Sequence, residues 1–265
     1  MSSNGTGLTD KVALITGAAS GIGKGIAEKL AAAGVKLVVT DIDKAGLQKL
    51  SNAYGDRCVL CHVDVTVEAD LERATAMAVE HFGRLDIAVN AAGVGGFARI
   101  VDQTEAQWDH IVDISMKGTF LSMKHEGRQM KACGNGGVII NIASLNAQQP
   151  AAGMSAYAAA KAGVEMLTRI GGMEMARHHV RVCAISPGLI ATPATQDVFA
   201  TPALYGGYMD NILLGRSGTV DDIANAALFL VSDAASWITG TTMLVDGGAA
   251  NNRYPDFTKL PRTQQ

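Results

Sequence analysis

Seven short, mostly apolar runs recur along the chain, at residues 12–16, 35–40, 58–63, 85–90, 138–142, 180–186 and 241–245. They are rich in Val and Ile, and the stretches between them carry apolar residues at helical spacing. Runs that are apolar at almost every position imply burial on both faces, hence a parallel sheet covered by helices rather than a sheet with one wet side. Two of the intervening stretches open with helix-start signals. Thr104-Glu105-Ala106-Gln107 and Thr219-Val220-Asp221-Asp222 each put a threonine at the N-cap and a polar side chain three residues later.

Strand–helix alternation with right-handed crossovers predicts an α/β protein. Its mostly parallel, doubly wound, seven-stranded sheet has helices on both faces in the Rossmann manner. At 265 residues, with no linker, repeat or low-complexity tract, the chain reads as one domain spanning 1–265. Hydrophobic residues make up 48%, ample for a large core, while aromatics reach only 5%; thirty glycines suit close packing of helix on sheet. A net charge of −3 without a block of Lys or Arg argues against nucleic acid or an anionic membrane as partner. The N-terminal residues have no apolar core of the signal-peptide kind, and no apolar run approaches the ~20 residues of a membrane span. The expected setting is soluble and cytoplasmic.

Cys58-Val59-Leu60-Cys61-His62 matches the letters of a haem-attachment motif. It falls within an apolar strand, where residues three apart face opposite ways, so these thiols cannot grip one ligand. Together with Cys133 and Cys183 they read as reduced, small apolar residues. Met116, Met123 and Met130 lie seven apart, as do Met166 and Met173, and the second helix also carries Gly163, Gly171 and Gly172. Both helices are expected to form an interface between copies, as a homodimer or homotetramer.

The chemistry concentrates at three places. Thr16-Gly17-Ala18-Ala19-Ser20-Gly21-Ile22-Gly23 joins the first strand to the first helix, a turn whose backbone N–H groups can meet a pyrophosphate. The second strand ends at Asp41, whose carboxylate can accept from an adenosine ribose 2′-hydroxyl and would repel a 2′-phosphate. This favours NAD over NADP. Tyr157 and Lys161 stand four apart, on one face of a helix, and Ser144 follows the apolar run at 138–142. An ammonium beside a phenol lowers a pKa that is otherwise near ~10, making the phenol a usable proton carrier. The serine hydroxyl can hold a substrate oxygen against it.

These residues together resemble the short-chain dehydrogenase/reductase family. The resemblance runs from Lys11 to Gly248. It includes Asp64-Val65 after the third strand, Asn90-Ala91-Ala92-Gly93 after the fourth, Pro187-Gly188 with Ile190 and Thr192, and Val245-Asp246-Gly247-Gly248. It implies that Tyr157 passes the proton, that Ser144 bonds the same oxygen, and that Lys161 holds the nicotinamide ribose and lowers the Tyr157 pKa. Cofactor contacts are then expected at Gly17, Ser20, Gly21, Ile22, Gly23, Asp41, Ile42, Asp64, Val65, Asn90, Gly93, Tyr157, Lys161, Pro187, Gly188, Ile190 and Thr192. Ser115 stands where the family usually has an Asn that supports a water-mediated relay to the lysine, and its hydroxyl is expected to hold that water. Ala91 replaces a second common Asn.

Substrate contacts are expected from Ser144, Asn146, Met154, Tyr157, Leu189 and Tyr205, beneath a mobile lid near 193–215 that also carries Phe199, Leu204 and Tyr208. No Lys or Arg precedes Arg216 in that lid, which points to a neutral secondary alcohol or ketone, cyclic or aromatic. A 3-oxoacyl-[acyl-carrier-protein] reductase and a catalytically silent NAD-binding protein are the alternatives. The tail at 249–265, with Tyr254 and Phe257, is expected either to be disordered or to pack on a neighbouring subunit. No metal site is expected.

Overall fold

A computed structural model describes residues 7–251. Seven parallel strands form one sheet in the order β3-β2-β1-β4-β5-β6-β7. They are β1 (Val12–Thr16), β2 (Lys36–Asp41), β3 (Cys58–His62), β4 (Ile87–Asn90), β5 (Gly137–Ile142), β6 (Val180–Pro187) and β7 (Thr241–Val245). Between them lie α1 (Gly21–Ala32), α2 (Lys44–Tyr54), α3 (Glu68–Phe82), α4 (Glu105–Val112), α5 (Gly118–Cys133) and α6 (Ser155–Met175). Two short helices, α7 (Gln196–Ala200) and α8 (Pro202–Met209), and then α9 (Val220–Val231) separate β6 from β7.

Five of the strands, β1, β2, β4, β5 and β6, are mostly buried on both faces, as their composition predicts, while the edge strands β3 and β7 are more open. Ala13, Ile15 and Val39 pack toward Ile26, Leu30 and Ile223 on one side, while Val12, Leu14 and Val38 pack toward Leu71, Ala74 and Leu121 on the other. Cys58 belongs to the first core and Cys61 to the second, so the strand does hold the two thiols on opposite faces. Both expected capping boxes form, Thr104 with Gln107 and Thr219 with Asp222. The fourth strand starts at Ile87 rather than at residue 85. The Asp86 carboxylate accepts from Val12 N (3.0 Å) and pairs with Arg84, which keeps it out of the regular alternation.

The methionines divide. Met123 and Met130, on α5 beyond the π-helical turn at Asp113–Lys117, are core residues. A Cβ on Gly163 would come 2.3 Å from Met116 Sδ, and one on Gly171 would come 2.7 Å from Met123 Cε. The glycines of α6 therefore seat methionines of the same chain. Exposed apolar surface remains at Phe120, Met166, Ile170 and Met173.

Candidate active site

In a doubly wound sheet, sites form at the carboxyl ends of the strands, where the order reverses. Here β1 lies between β2 and β4, and the turn after β1 is the glycine loop. Gly17 has φ +65°, and a Cβ there would lie 2.7 Å from Ala92 N, in the loop after β4. A Cβ on Gly23 would sit 2.1 Å from Gly17 O, so α1 can start so close to the strand only with glycine there. The loop thus brings the N-terminus of α1 to the strand ends. Ser20 is its N-cap, and Ile22 packs against the first core.

Asp41 closes the loop from β2. Its Oδ2 accepts from Ala19 N (2.9 Å) and its Oδ1 from Asp43 N (3.0 Å), which fixes the carboxylate beside the glycine turn. Asp43, not Asp41, caps α2. Ile42 stands beyond it, 66% exposed. After β3, Asp64 Oδ1 accepts from Thr66 N and Thr66 Oγ1, while buried Val65 packs against Gly118.

The side chain of Asn90 goes elsewhere than expected. It is buried and donates to Glu126 Oε2 and Asn141 Oδ1, both at 3.0 Å, and Asn141 donates in turn to Thr168 Oγ1 (2.9 Å). This network ties β4, β5, α5 and α6 together beneath the site, so the side chain of Asn90 serves the scaffold. Burial pushes the Glu126 carboxyl up to about 8.

Ser144, Tyr157 and Lys161 do come together. Ser144 follows β5 and caps the short turn Leu145–Ala147, accepting from Asn146 N (3.2 Å). Its hydroxyl lies near enough to the Tyr157 phenol to lower that group's pKa. Lys161, one turn along α6, is buried; it donates to Ile142 O (2.8 Å) and holds its Nζ 5.8 Å from the Tyr157 ring centroid. Burial lowers the Lys161 ammonium to about 8. Burial also raises the Tyr157 phenol above its ordinary value, the Ser144 hydroxyl lowers it, and Tyr208 raises it. The lowering by Lys161 expected from the spacing is not among the influences on the phenol in the protein alone. The ammonium is itself desolvated and its hydrogen bond goes to a carbonyl.

Ser115 is fully buried in the π-helical turn. Its Oγ accepts from Val94 N and donates to Val94 O, both at 3.2 Å, which pins the loop after β4. Gly93 in that loop lies between Ser115 and Lys161: a Cβ there would stand 3.2 Å from Lys161 Nζ and 3.5 Å from Ser115 Oγ.

On the opposite wall, Gly188 N donates to Val245 O (3.0 Å), and a Cβ on Gly188 would strike Asp246. Buried Ile190 presents its carbonyl to Thr195 Oγ1 (2.6 Å), and Thr192 N donates to the same hydroxyl (3.0 Å). A Cβ on Gly21 would lie 3.6 Å from Thr192, so the glycine loop and the segment after β6 face each other. Leu145, Leu189 and Ile212 form a small apolar cluster with Phe199, Tyr205 and Tyr208 from α7 and α8, and the Phe199 and Tyr205 rings are 5.3 Å apart. Met154 bridges to Ala98 across the mouth, and Asn146 Nδ2 donates to Gln149 O. Tyr254 and Phe257 lie outside the described residues.

Sequence reasoning missed a buried carboxylate, Glu165, which accepts from Gln148 and Ser186. The available signal was its position four residues beyond Lys161 on an otherwise small or apolar helix face.

A family model described as "Enoyl-(Acyl carrier protein) reductase" matches residues 17–250. The chain is 37% identical to an NAD-dependent glycerol dehydrogenase of Listeria innocua, over 91% of this chain and 94% of the relative. It is 36% identical to a trans-4-hydroxycyclohexanecarboxylate dehydrogenase of Sinomonas cyclohexanicum, over 94% and 97%. Among solved structures, a 7α-hydroxysteroid dehydrogenase complexed with NADH and 7-oxo glycochenodeoxycholic acid superposes with a TM-score of 0.88 at 34% identity, covering 94% of this chain and 97% of that one. The chain belongs to the short-chain dehydrogenase/reductase family.

Proposed function

We propose that the protein is an NAD(H)-dependent oxidoreductase that interconverts a neutral secondary alcohol, cyclic or aromatic, and its ketone. The observation that carries this reading is the gathering of Ser144, Tyr157 and Lys161 beside the glycine loop, the serine and lysine buried and the phenol half-buried. The residues present suit a dinucleotide: Gly17 and Gly23 let the loop and the start of α1 pack too closely for any Cβ, which brings the α1 N-terminus to the strand ends, and the Asp41 carboxylate is fixed at the edge of the same turn. A bound nicotinamide supplies the hydride acceptor or donor. Tyr157 moves the proton to or from the substrate oxygen, Ser144 holds that oxygen, and Lys161 supplies positive charge under the phenol. Gly17, Ser20, Gly21, Ile22 and Gly23 take the pyrophosphate, and Asp41 takes the ribose hydroxyls. Ile42, Asp64 and Val65 border the adenine, while Gly93, Pro187, Gly188, Ile190 and Thr192 border the nicotinamide.

The aromatic and aliphatic lining from Leu145, Leu189, Tyr205 and Tyr208 supports an uncharged ring substrate, as do the cyclohexane and steroid names of two relatives. The helices α7 and α8 act as the lid. Self-association is part of the reading: Phe120 and Met166 line an apolar hollow beside Met116 and Gly163, suited to a second copy. Among the described residues no helix is long and apolar enough to cross a membrane.

The second reading, reduction of an acyl-carrier-protein thioester, is favoured by the description of the matching family model. Steady-state turnover of a panel of secondary alcohols with NAD and with NADP separates the two. NAD-dependent oxidation of cyclic alcohols is expected, and a preference for NADP with 3-oxoacyl thioesters would overturn it.

A further inference from the structure

Glu165 lies on α6 one helical turn beyond Lys161 and is only 5% exposed. Burying a carboxylate is costly unless donors converge on it. Three bonds do. Gln148 Nε2 donates to both oxygens, at 2.9 and 3.1 Å, and Ser186 Oγ donates to Oε1 at 2.8 Å.

The donors belong to two other parts of the site. Gln148 caps the turn that Ser144 opens. Ser186 is fully buried in β6, immediately before Pro187 and Gly188. One carboxylate therefore joins the helix of the proton donor, the turn of the substrate-holding serine, and the strand that leads into the nicotinamide segment. The two halves of a hydride transfer must be held in register, because a displacement of about 1 Å costs on the order of a hundredfold in rate.

We propose that Glu165 is a positioning residue: through Ser186 and Gln148 it sets the nicotinamide segment and the Ser144 turn against Tyr157 and Lys161. The proposal rests on the dinucleotide reading above and carries a readout that needs no substrate. Replacing Glu165 leaves the adenosine half of the site, at Asp41 and the glycine loop, untouched. The loss falls on binding energy from the nicotinamide half alone.

The test compares NADH with ADP-ribose, which lacks the nicotinamide, by titration calorimetry on the wild type, Glu165→Leu and Glu165→Gln, with circular dichroism to confirm folding. Glu165→Leu should weaken NADH about tenfold, leave ADP-ribose within about twofold, and lower kcat by roughly ten- to a hundredfold. Glu165→Gln should stay within about threefold of wild type in NADH affinity, since its amide oxygen still accepts from Ser186 and its NH2 can donate to a turned Gln148. Equal weakening of both ligands, or of neither, overturns the proposal. Should Glu165→Leu not fold, Ser186→Ala removes the same bond from the strand side and carries the same expectation. A wild type that binds no NADH contradicts the dinucleotide reading itself. One that binds NADH and oxidises no alcohol contradicts only the substrate reading, and Glu165 is then judged on binding.

Discussion

In the protein alone, burial outweighs the influence of Ser144 and raises the Tyr157 phenol above its ordinary value, so on the proposed mechanism the protonated form is the favoured one. A protonated phenol can give its proton to a ketone oxygen; oxidation of an alcohol needs the phenolate. A raised pKa keeps the donor form present until pH passes it. Alcohol oxidation releases a proton, so the oxidation-to-reduction ratio rises with pH by equilibrium alone. The phenol is read instead in kcat/KM for reduction, which should hold level from pH 7 to pH 9 in initial-rate measurements; a fall across that range would contradict a raised Tyr157 pKa. Tyr157→Phe removes the proton carrier and leaves the ring, so kcat should fall by about a hundredfold to ten-thousandfold, with NADH affinity little changed. Retained turnover in that variant would show that another group carries the proton.

At this scale the sequence was most informative where residue type and spacing already specify chemistry. Ser144, Tyr157, Lys161 and Asp41 fall into that class. Asn90, Ser115 and Glu165 do not, because their partners come from distant segments: Glu126 and Asn141, Val94, and Ser186. No local pattern reports which buried carbonyl or carboxylate a side chain will meet after the sheet has closed.

Among the elements, caps and strands were legible. The Thr219 hydroxyl accepts from Asp222 N, and the Asp222 carboxylate returns to Thr219 N (2.7 Å), so α9 starts as the sequence predicts. Arg216 braces the same carboxylate in a two-pronged pair (2.8 and 2.9 Å). Thr219→Ala should destabilise the protein by about 1 kcal/mol. In a domain of this size that is a fall of roughly 2–4 °C in Tm. A thermal melt with no fall would mean that the Arg216 pair alone suffices. Of the methionines at seven-residue spacing, Met123 and Met130 are buried in the core, a packing role the spacing also allows, and glycine at 163 and 171 gives Met116 and Met123 their seats within the chain.

For the whole molecule, the seven-stranded parallel sheet was readable because most of its strands are apolar on both faces, a property of composition alone. The polar layer inside it was not. Glu126 is fully buried, with its Oε1, Asn90 Oδ1 and Ser122 Oγ all short of a partner among the described residues. Its carboxyl is pushed up to about 8 by burial, against 4.5 in a solvated chain. A raised acid is neutral when folded and charged when unfolded across that window. Its contribution to stability is whole below about pH 4.5 and is lost as pH rises toward 8, by at most about 1.4 kcal/mol per pH unit. Glu126→Gln keeps the shape without the charge, so its stability relative to wild type should grow from pH 5 to pH 8 in urea melts. A constant difference would show that Glu126 is ionised in the folded protein.

The central claim, hydride transfer between a ring alcohol and NAD with Tyr157 moving the proton, is tested most directly by isotope. Cyclohexanol carrying deuterium on its carbinol carbon, incubated with the protein and NAD, should yield reduced cofactor bearing that deuterium on the nicotinamide ring, read by mass spectrometry. Tyr157→Phe should yield almost none. Unlabelled reduced cofactor, or label appearing equally in the Tyr157→Phe variant, would contradict the claim.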